Sequence, residues 1–372
     1  MKLQFAAPCL FGLESELAFE LKSMGAQQVQ AENGRVKFSG GPELVARANI
    51  RSAVAERILL VLGEFDAFTF EDLFQGVRCI PWGDYIGRTD AFPVKGHSLK
   101  SQLHSVPDCQ SIIKKAVAES LKERYHVSWL EETGNPLQIQ FSILKDHVSI
   151  MLDTSGWGLH KRGYRRHTGS AAPLKETLAA GIARLARVKE NSTVYDPCCG
   201  SGTLLIESAL KALNISPGAG RRFASESWGF LPDGLFQAER QAAYAQIRRQ
   251  APFRAYGSDL DGACAALAKE NLKKSGLSSR GAVSTADLRD FAPQTDTGIV
   301  LCNPPYGERL SDRKSCEQLY AAMGKVFVRR PGFSYYIITS HEGFEEHFGR
   351  KADKKRKLYN GMIRCDLYMY FR

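Results

Sequence analysis

Apolar positions follow two periods along this chain. Up to residue 152, short β-type runs are interleaved with stretches of helical spacing. Residues 15–24 (SELAFELKSM) carry helical spacing and run into Gly25, a natural stop. Residues 35–38 (RVKF) alternate as a strand and are broken by Gly40-Gly41-Pro42, and residues 43–62 predict a helix passing into a strand. In residues 110–124 (QSIIKKAVAESLKER) the apolar positions 112, 113, 116, 117 and 121 line one face of a helix. Residues 137–144 and 147–152 predict a hairpin turning at Lys145-Asp146. Mixed elements of this kind predict an α+β architecture for the first half.

Residues 156–169 (GWGLHKRGYRRHTG) are glycine-rich and basic, and read as a connector. Beyond them the pattern becomes regular. A helix over 173–188 with Pro173 in its first turn leads to a strand at 192–195, a helix at 204–213, a strand at 254–258 and a helix at 262–275. Strands follow at 299–301, 335–340 and 363–371, the last two separated by a helix and a basic loop. Strands alternating with helices predict an α/β fold with a mostly parallel, doubly wound sheet.

Charge divides the chain the same way. Residues 1–160 carry 16 basic and 19 acidic side chains, whereas residues 161–372 carry 34 and 21, so the net charge of +10 comes from the second part. A basic excess confined to one part points to a polyanionic partner there, or to solubility alone. Nine scattered cysteines without a C-x-x-C pair suit reduced thiols in a cytoplasmic protein and argue against a metal site. No apolar stretch reaches a membrane-spanning length, and Met1-Lys2-Leu3-Gln4-Phe5 lacks a signal-peptide layout.

Chemistry concentrates at four strand ends. Asp196-Pro197-Cys198-Cys199-Gly200-Ser201-Gly202-Thr203 follows the first strand of the α/β half and opens a helix. Its glycines allow close backbone approach and the helix start offers unpaired N–H groups, so it can cradle a nucleotide-like cofactor or be a plain corner. It is neither a Walker loop nor a G-x-G-x-x-G fingerprint. Asp259 ends the next strand, where a carboxylate can hold ribose hydroxyls or cap a helix, although Asp261 is the better cap. Asp287 stands after a third strand, as an adenine acceptor or a surface turn acid.

Asn303-Pro304-Pro305-Tyr306 closes the set. Two prolines hold an extended backbone without N–H donors, so the Asn303 side-chain oxygen and the Pro304 carbonyl can act as fixed acceptors. Two acceptors suit an NH2 group, and Tyr306 offers a face for a base. A ring-conjugated amine is a poor nucleophile, so orientation should count for more than proton removal. Together these segments suggest methyl transfer from S-adenosylmethionine to the exocyclic amine of a base. Lys161, Arg162, Tyr164, Arg165 and Arg166 interleave cations with an aromatic and are candidates for RNA phosphate contact; five cations in 351–357 fit either phosphates or solvent.

These residues resemble a known family. Gly158-Leu159-His160-Lys161-Arg162-Gly163-Tyr164-Arg165, Ala172-Pro173-Leu174-Lys175-Glu176-Thr177, the 196–203 loop, Gly257-Ser258-Asp259 and Asn303-Pro304-Pro305-Tyr306-Gly307-Glu308-Arg309 are similar to THUMP-domain class I RNA methyltransferases. The nearest group is the bacterial one that makes N2-methylguanosine in 23S ribosomal RNA. Gly76-Val77-Arg78-Cys79-Ile80-Pro81-Trp82 and Leu152-Asp153-Thr154-Ser155-Gly156 extend the likeness over nearly the whole length.

The resemblance implies a ferredoxin-like segment (1–55), a THUMP domain (56–155), a basic linker (156–170) and a Rossmann-like methyltransferase domain (171–372). Its seven-stranded sheet would end in a hairpin. It also implies that Thr177 and the 196–203 loop, including Asp196, Pro197, Cys199, Gly200, Ser201, Gly202 and Thr203, surround the methionine part of S-adenosylmethionine. Asp259 would hold the ribose, Asp287 the adenine, and Asn303, Pro304 and Tyr306 the target amine. Relatives often carry a larger apolar residue at position 198, which should alter packing rather than chemistry. Some relatives add a second methyltransferase domain; this chain stops at Arg372, so that function is not expected. The implied partner is 23S rRNA, naked or in an assembling large subunit. A tRNA guanine-N2 or N6-adenine enzyme, and a non-catalytic RNA-binding or assembly protein, are the alternatives.

Overall fold

The computed structural model describes residues 2–165, 174–306 and 310–371, and resolves two compact units. The first comprises residues 1–8, 18–159 and 220–241; the second comprises 9–17, 160–219 and 242–372. Two chain segments thus cross over in sequence, which no local pattern announces.

In the N-terminal part the elements are β1 (Leu3–Pro8), α1 (Glu14–Ser23), β2 (Gln27–Glu32), β3 (Arg35–Gly40), α2 (Glu43–Arg51), β4 (Leu59–Asp66), α3 (Phe70–Arg78), β5 (Val94–Leu99), α4 (Val106–Tyr125), β6 (Ile139–Leu144) and β7 (His147–Asp153). The strands form one sheet in the order β2-β3-β1-β4-β7-β6-β5. β4 pairs with both β1 and β7, joining the two parts of the sheet, with a register shift between Val61 and Gly63 in its pairing with β7. The hairpin predicted at 145–146 is β6–β7, with Lys145 and Asp146 both at positive φ. α3 escaped the sequence reading although Thr69 and Asp72 cap its start reciprocally. Residues 220–241 pack on this unit: Ser225 donates through its N–H and hydroxyl to the Thr154 carbonyl (3.1 and 2.9 Å), and Glu239 pairs with Arg47 and Arg51.

The second half supplies α5 (Glu176–Leu185), β8 (Thr193–Asp196), α6 (Thr203–Ala212), α7 (Leu235–Ala245), β9 (Arg254–Asp259), α8 (Gly262–Lys274), β10 (Gly281–Thr285), β11 (Gly298–Cys302), α9 (Leu310–Val326), β12 (Phe333–Thr339), α10 (Phe344–Phe348), β13 (Lys354–Asn360) and β14 (Ile363–Tyr370). The sheet order is β10-β9-β8-β11-β12-β14-β13, parallel from β10 to β12, with β14 antiparallel and joined to β13 as a hairpin. Beneath it lies an aromatic core that includes Tyr195, Tyr320, Phe327, Tyr335, Phe344 and Phe348.

The basic loop expected before β14 is instead the edge strand β13. Its partner strand supplies the pairing, and lysines along an exposed edge discourage further strand addition. Arg356 turns inward, donating to the Gly12 carbonyl and the Ser15 hydroxyl (both 2.8 Å), while Lys355 pairs with Glu345 at 2.8 Å.

Candidate active site

Strand register decides which residues meet. β11 pairs with β8 through Ile299–Val194 and Val300–Tyr195, β9 pairs with β8 through Gly257–Asp196, and β10 pairs with β9 through Thr285–Asp259. The carboxyl ends of β10, β9, β8 and β11 therefore lie side by side. They carry Asp287, Asp259, the 196–203 loop and Asn303, and this edge of an open α/β sheet is where ligands bind.

The loop between β8 and α6 is tied down from below. The Cys199 N–H donates to the Ser258 carbonyl (2.9 Å), the Gly200 N–H to Asp259 Oδ2 (2.8 Å), and Asn271 to the Ser201 carbonyl (2.9 Å). Gly200 and Gly202 sit at φ +49° and +78°; a β-carbon on Gly202 would stand 3.1 Å from Ala268, whereas one on Gly200 would meet nothing within 4 Å. Gly202 therefore serves packing, and Gly200 faces open space where a ligand can approach the backbone. Asp261 caps α8 by accepting from the Ala263 N–H at 2.8 Å, which leaves Asp259 at the loop rather than as the cap. Asp259 also accepts from the Asp261 N–H at 3.0 Å. Thr177 and Pro197 are buried, and the Thr203 hydroxyl lies 3.0 Å from that of Ser201. Cys199 is buried, and burial pushes its thiol up.

Asp196 is 1% exposed, and burial pushes it up to about 8, with nearby Asp259 adding to the rise and the Cys198 N–H opposing it. With its folded pKa above the ordinary 3.8, the stability it contributes is complete below that value and is lost as pH rises toward about 8. The thermal midpoint of the ligand-free protein should therefore fall more between pH 5 and about 8 than that of Asp196→Asn, by scanning fluorimetry. Parallel curves would remove Asp196 as the cause.

Asp287 caps the 288–290 turn, accepting from the Arg289 N–H (2.8 Å) and guanidinium (2.7 Å). The Arg289 N–H, chiefly, holds it below the usual carboxylate range. Its oxygens thus already serve a surface turn, the second of the two roles read from the sequence.

At the end of β11, Pro304 is buried, Pro305 exposed, and Asn303 and Tyr306 half-buried. The Pro305 carbonyl accepts from the Tyr320 hydroxyl (2.8 Å), which also lies 3.1 Å from the Thr339 hydroxyl. Tyr320 is fully buried, so it anchors the rigid turn to the core, a role that no local sequence signal announced. The Tyr306 hydroxyl donates to Asn303 Oδ1 at 2.6 Å, so the asparagine acceptor already holds one intramolecular donor. Cys198 packs against the core cluster containing Cys302, where the sequence reading expected only a packing effect.

The connector is where expectation and structure part. Arg162 and Glu207 side chains are 3% and 1% exposed and lie 3.4 Å apart. The Tyr164 hydroxyl donates to Glu207 at 3.0 Å, and Arg165 pairs with Glu176 (2.9 Å) and donates to the Leu174 carbonyl and Thr203 hydroxyl. Arg162, Tyr164 and Arg165 therefore brace the starts of α5 and α6 internally instead of facing phosphates. Buried acids claimed the cations. Lys161 is exposed, and Arg166 lies outside the described residues.

Residues 162–369 match the RMKL-like methyltransferase domain, residues 4–59 the RlmL ferredoxin-like domain and residues 67–153 the THUMP domain. This chain belongs to the RMKL-like methyltransferase family. YpsC of Bacillus subtilis (strain 168), grouped by its name with RNA methyltransferases, is 41% identical over 100% of this chain and 96% of its own length. The ribosomal RNA large subunit methyltransferase K/L of Cellvibrio japonicus is 34% identical over 99% of this chain, which spans 51% of that protein. Among solved structures, SMU.472 complexed with SAH superposes with a TM-score of 0.94 at 40% identity, covering 100% of this chain and 98% of that one. The family's class I fold agrees with the parallel sheet and its ligand edge. Among the described residues, no helix is long and apolar enough to cross a membrane.

Proposed function

We propose that this chain transfers a methyl group from S-adenosylmethionine to the exocyclic N2 amine of a guanosine in 23S ribosomal RNA. The coarser statement, an S-adenosylmethionine-dependent RNA methyltransferase, rests on the family and on the THUMP domain. The observation that carries the reading is Asn303-Pro304-Pro305-Tyr306 on the strand adjoining the 196–203 loop. The name of the Cellvibrio relative supports a large-subunit rRNA target.

The residues present suit the cofactor. Gly200 leaves room beside the backbone, Asp196 is a buried carboxyl suited to the cationic methionine end, and Asp259, at the end of β9 and bonded to the Gly200 N–H, is the carboxylate assigned to the ribose in this reading. When bound, the cofactor supplies an electrophilic methyl group on a sulfonium. The protein's own part is orientation. The Asn303 oxygen and the Pro304 carbonyl accept the two amine hydrogens, turning the nitrogen lone pair toward the methyl carbon, and Tyr306 lies against the base. Asn303 Oδ1 has a second lone pair for this, or the Tyr306 hydroxyl releases it. No strong base is required, because the proton becomes acidic once the nitrogen is methylated. A paired base reaches such a recessed turn only by leaving its helix. Leu260, 72% exposed beside Asp259, is a further candidate to cover the adenine.

The test is methylation of rRNA and tRNA from a strain lacking the gene, with modified nucleosides resolved by mass spectrometry. N2-methylguanosine formed in 23S rRNA is the expected product. N6-methyladenosine, or a product only in tRNA, would replace the substrate assignment; no product and no cofactor binding would leave an RNA-binding or assembly protein.

A further inference from the structure

Three side chains far apart in sequence meet beyond the end of β12. Glu317 lies on α9, His341 follows β12, and His347 lies on α10, with one ligand atom from each all within 4.8 Å of one another. Glu317 Oε1 is 3.6 Å from both His341 Nε2 and His347 Nε2. These separations exceed a hydrogen bond and approach the ~3.3 Å between ligand atoms around a tetrahedral ion bound at about 2.0–2.1 Å.

His341 is the decisive member. It is 7% exposed, and neither ring nitrogen has a hydrogen-bond partner. Buried imidazoles ordinarily satisfy at least one nitrogen. Glu317 has a competing partner in Arg313, 3.3 Å away and 63% exposed, which can swing out to solvent. Glu317 and His347 are 28% and 32% exposed, giving an ion an entry path and room for a water in a fourth position.

We propose that Glu317, His341 and His347 bind one divalent transition-metal ion of the zinc class. Two imidazoles and one carboxylate suit zinc and disfavour magnesium or calcium, which prefer oxygen-only shells. The ion acts as a clip joining α9, the end of β12 and α10. The clip adjoins the reactive turn: the His341 ring packs edge-on against Tyr320 at 5.4 Å, and Tyr320 holds the Pro305 carbonyl. It takes no part in methyl transfer itself.

The experiment uses chelator-treated full-length protein titrated with ZnCl2 by calorimetry and with Co2+ by visible absorption. Expected are one saturable site of micromolar or tighter affinity, d–d bands at one equivalent, and a thermal midpoint that rises with zinc. His347→Ala and Glu317→Gln, both at partly exposed positions, should each weaken binding at least tenfold while keeping the far-ultraviolet spectrum. No saturable binding would overturn the site. So would unchanged affinity in both variants, since the ion would then sit elsewhere, such as on cysteine thiols.

Discussion

Asn303→Ala is expected to lower the single-turnover methylation rate by about 10²- to 10³-fold, with RNA affinity and cofactor affinity within about twofold of the parent. The size follows from what the side chain does. An aromatic amine donates its lone pair poorly while that pair is conjugated with the ring, and in the proposed reading two fixed acceptors hold the amine with its lone pair aimed at the methyl carbon. Alanine removes one acceptor and leaves Pro304 and the backbone anchored by Tyr320 unchanged. Tyr306→Phe makes a useful contrast. It deletes the hydroxyl that donates to Asn303 at 2.6 Å but keeps the ring, so only a severalfold change is expected if stacking is its main role. Rapid-quench kinetics and filter binding on the same preparations separate the two quantities. An equal loss of RNA affinity in Asn303→Ala would mean that the residue shapes the binding surface rather than the amine.

The second large effect concerns stability. Glu207→Leu should destabilise the methyltransferase unit by about 3–5 kcal/mol, because it removes the buried carboxylate that the Arg162 guanidinium and the Tyr164 hydroxyl both reach. For a unit of this size that corresponds to a midpoint roughly 10 °C lower in calorimetry. Arg162 and Glu207 are 3% and 1% exposed, and the Tyr164 hydroxyl loses its acceptor as well. Burial raises Glu207 above the ordinary carboxylate range against the opposing pull of Arg162, so the pair sits in a poorly solvating environment. Replacing both partners, as Glu207→Leu with Arg162→Met, should recover most of the loss, since an apolar pair of similar volume needs no desolvation. A single-variant cost below about 1 kcal/mol would place water in this cluster and remove the bracing role.

These expectations separate what local chain chemistry can announce from what it cannot. The corner from β8 through Gly200 and Gly202 into α6 was readable because positive φ, a helix start and a preceding apolar strand are properties of neighbouring residues. Asp261 as a helix cap and the β6–β7 hairpin were readable for the same reason. So was the family, because its motifs are short runs whose order along the chain identifies it.

Direction and partnership were not readable. The sequence assigns Arg162, Tyr164 and Arg165 a charge and a ring, but only the packing of α5 and α6 decides that Glu176 and Glu207 stand behind them. Similarly, β13 is a strand because β14 offers hydrogen bonds to it, though its own residues read as a basic loop facing either phosphates or solvent. Residues 220–241 fold onto the first unit through contacts with Thr154, Arg47 and Arg51 that lie far away along the chain. Glu317, His341 and His347 converge only when α9, β12 and α10 are packed. By itself the sequence determined backbone geometry and motif order, which arise between neighbours. The tertiary structure decided which charges are buried and which side chains face one another, because desolvation and pairing depend on distance through space.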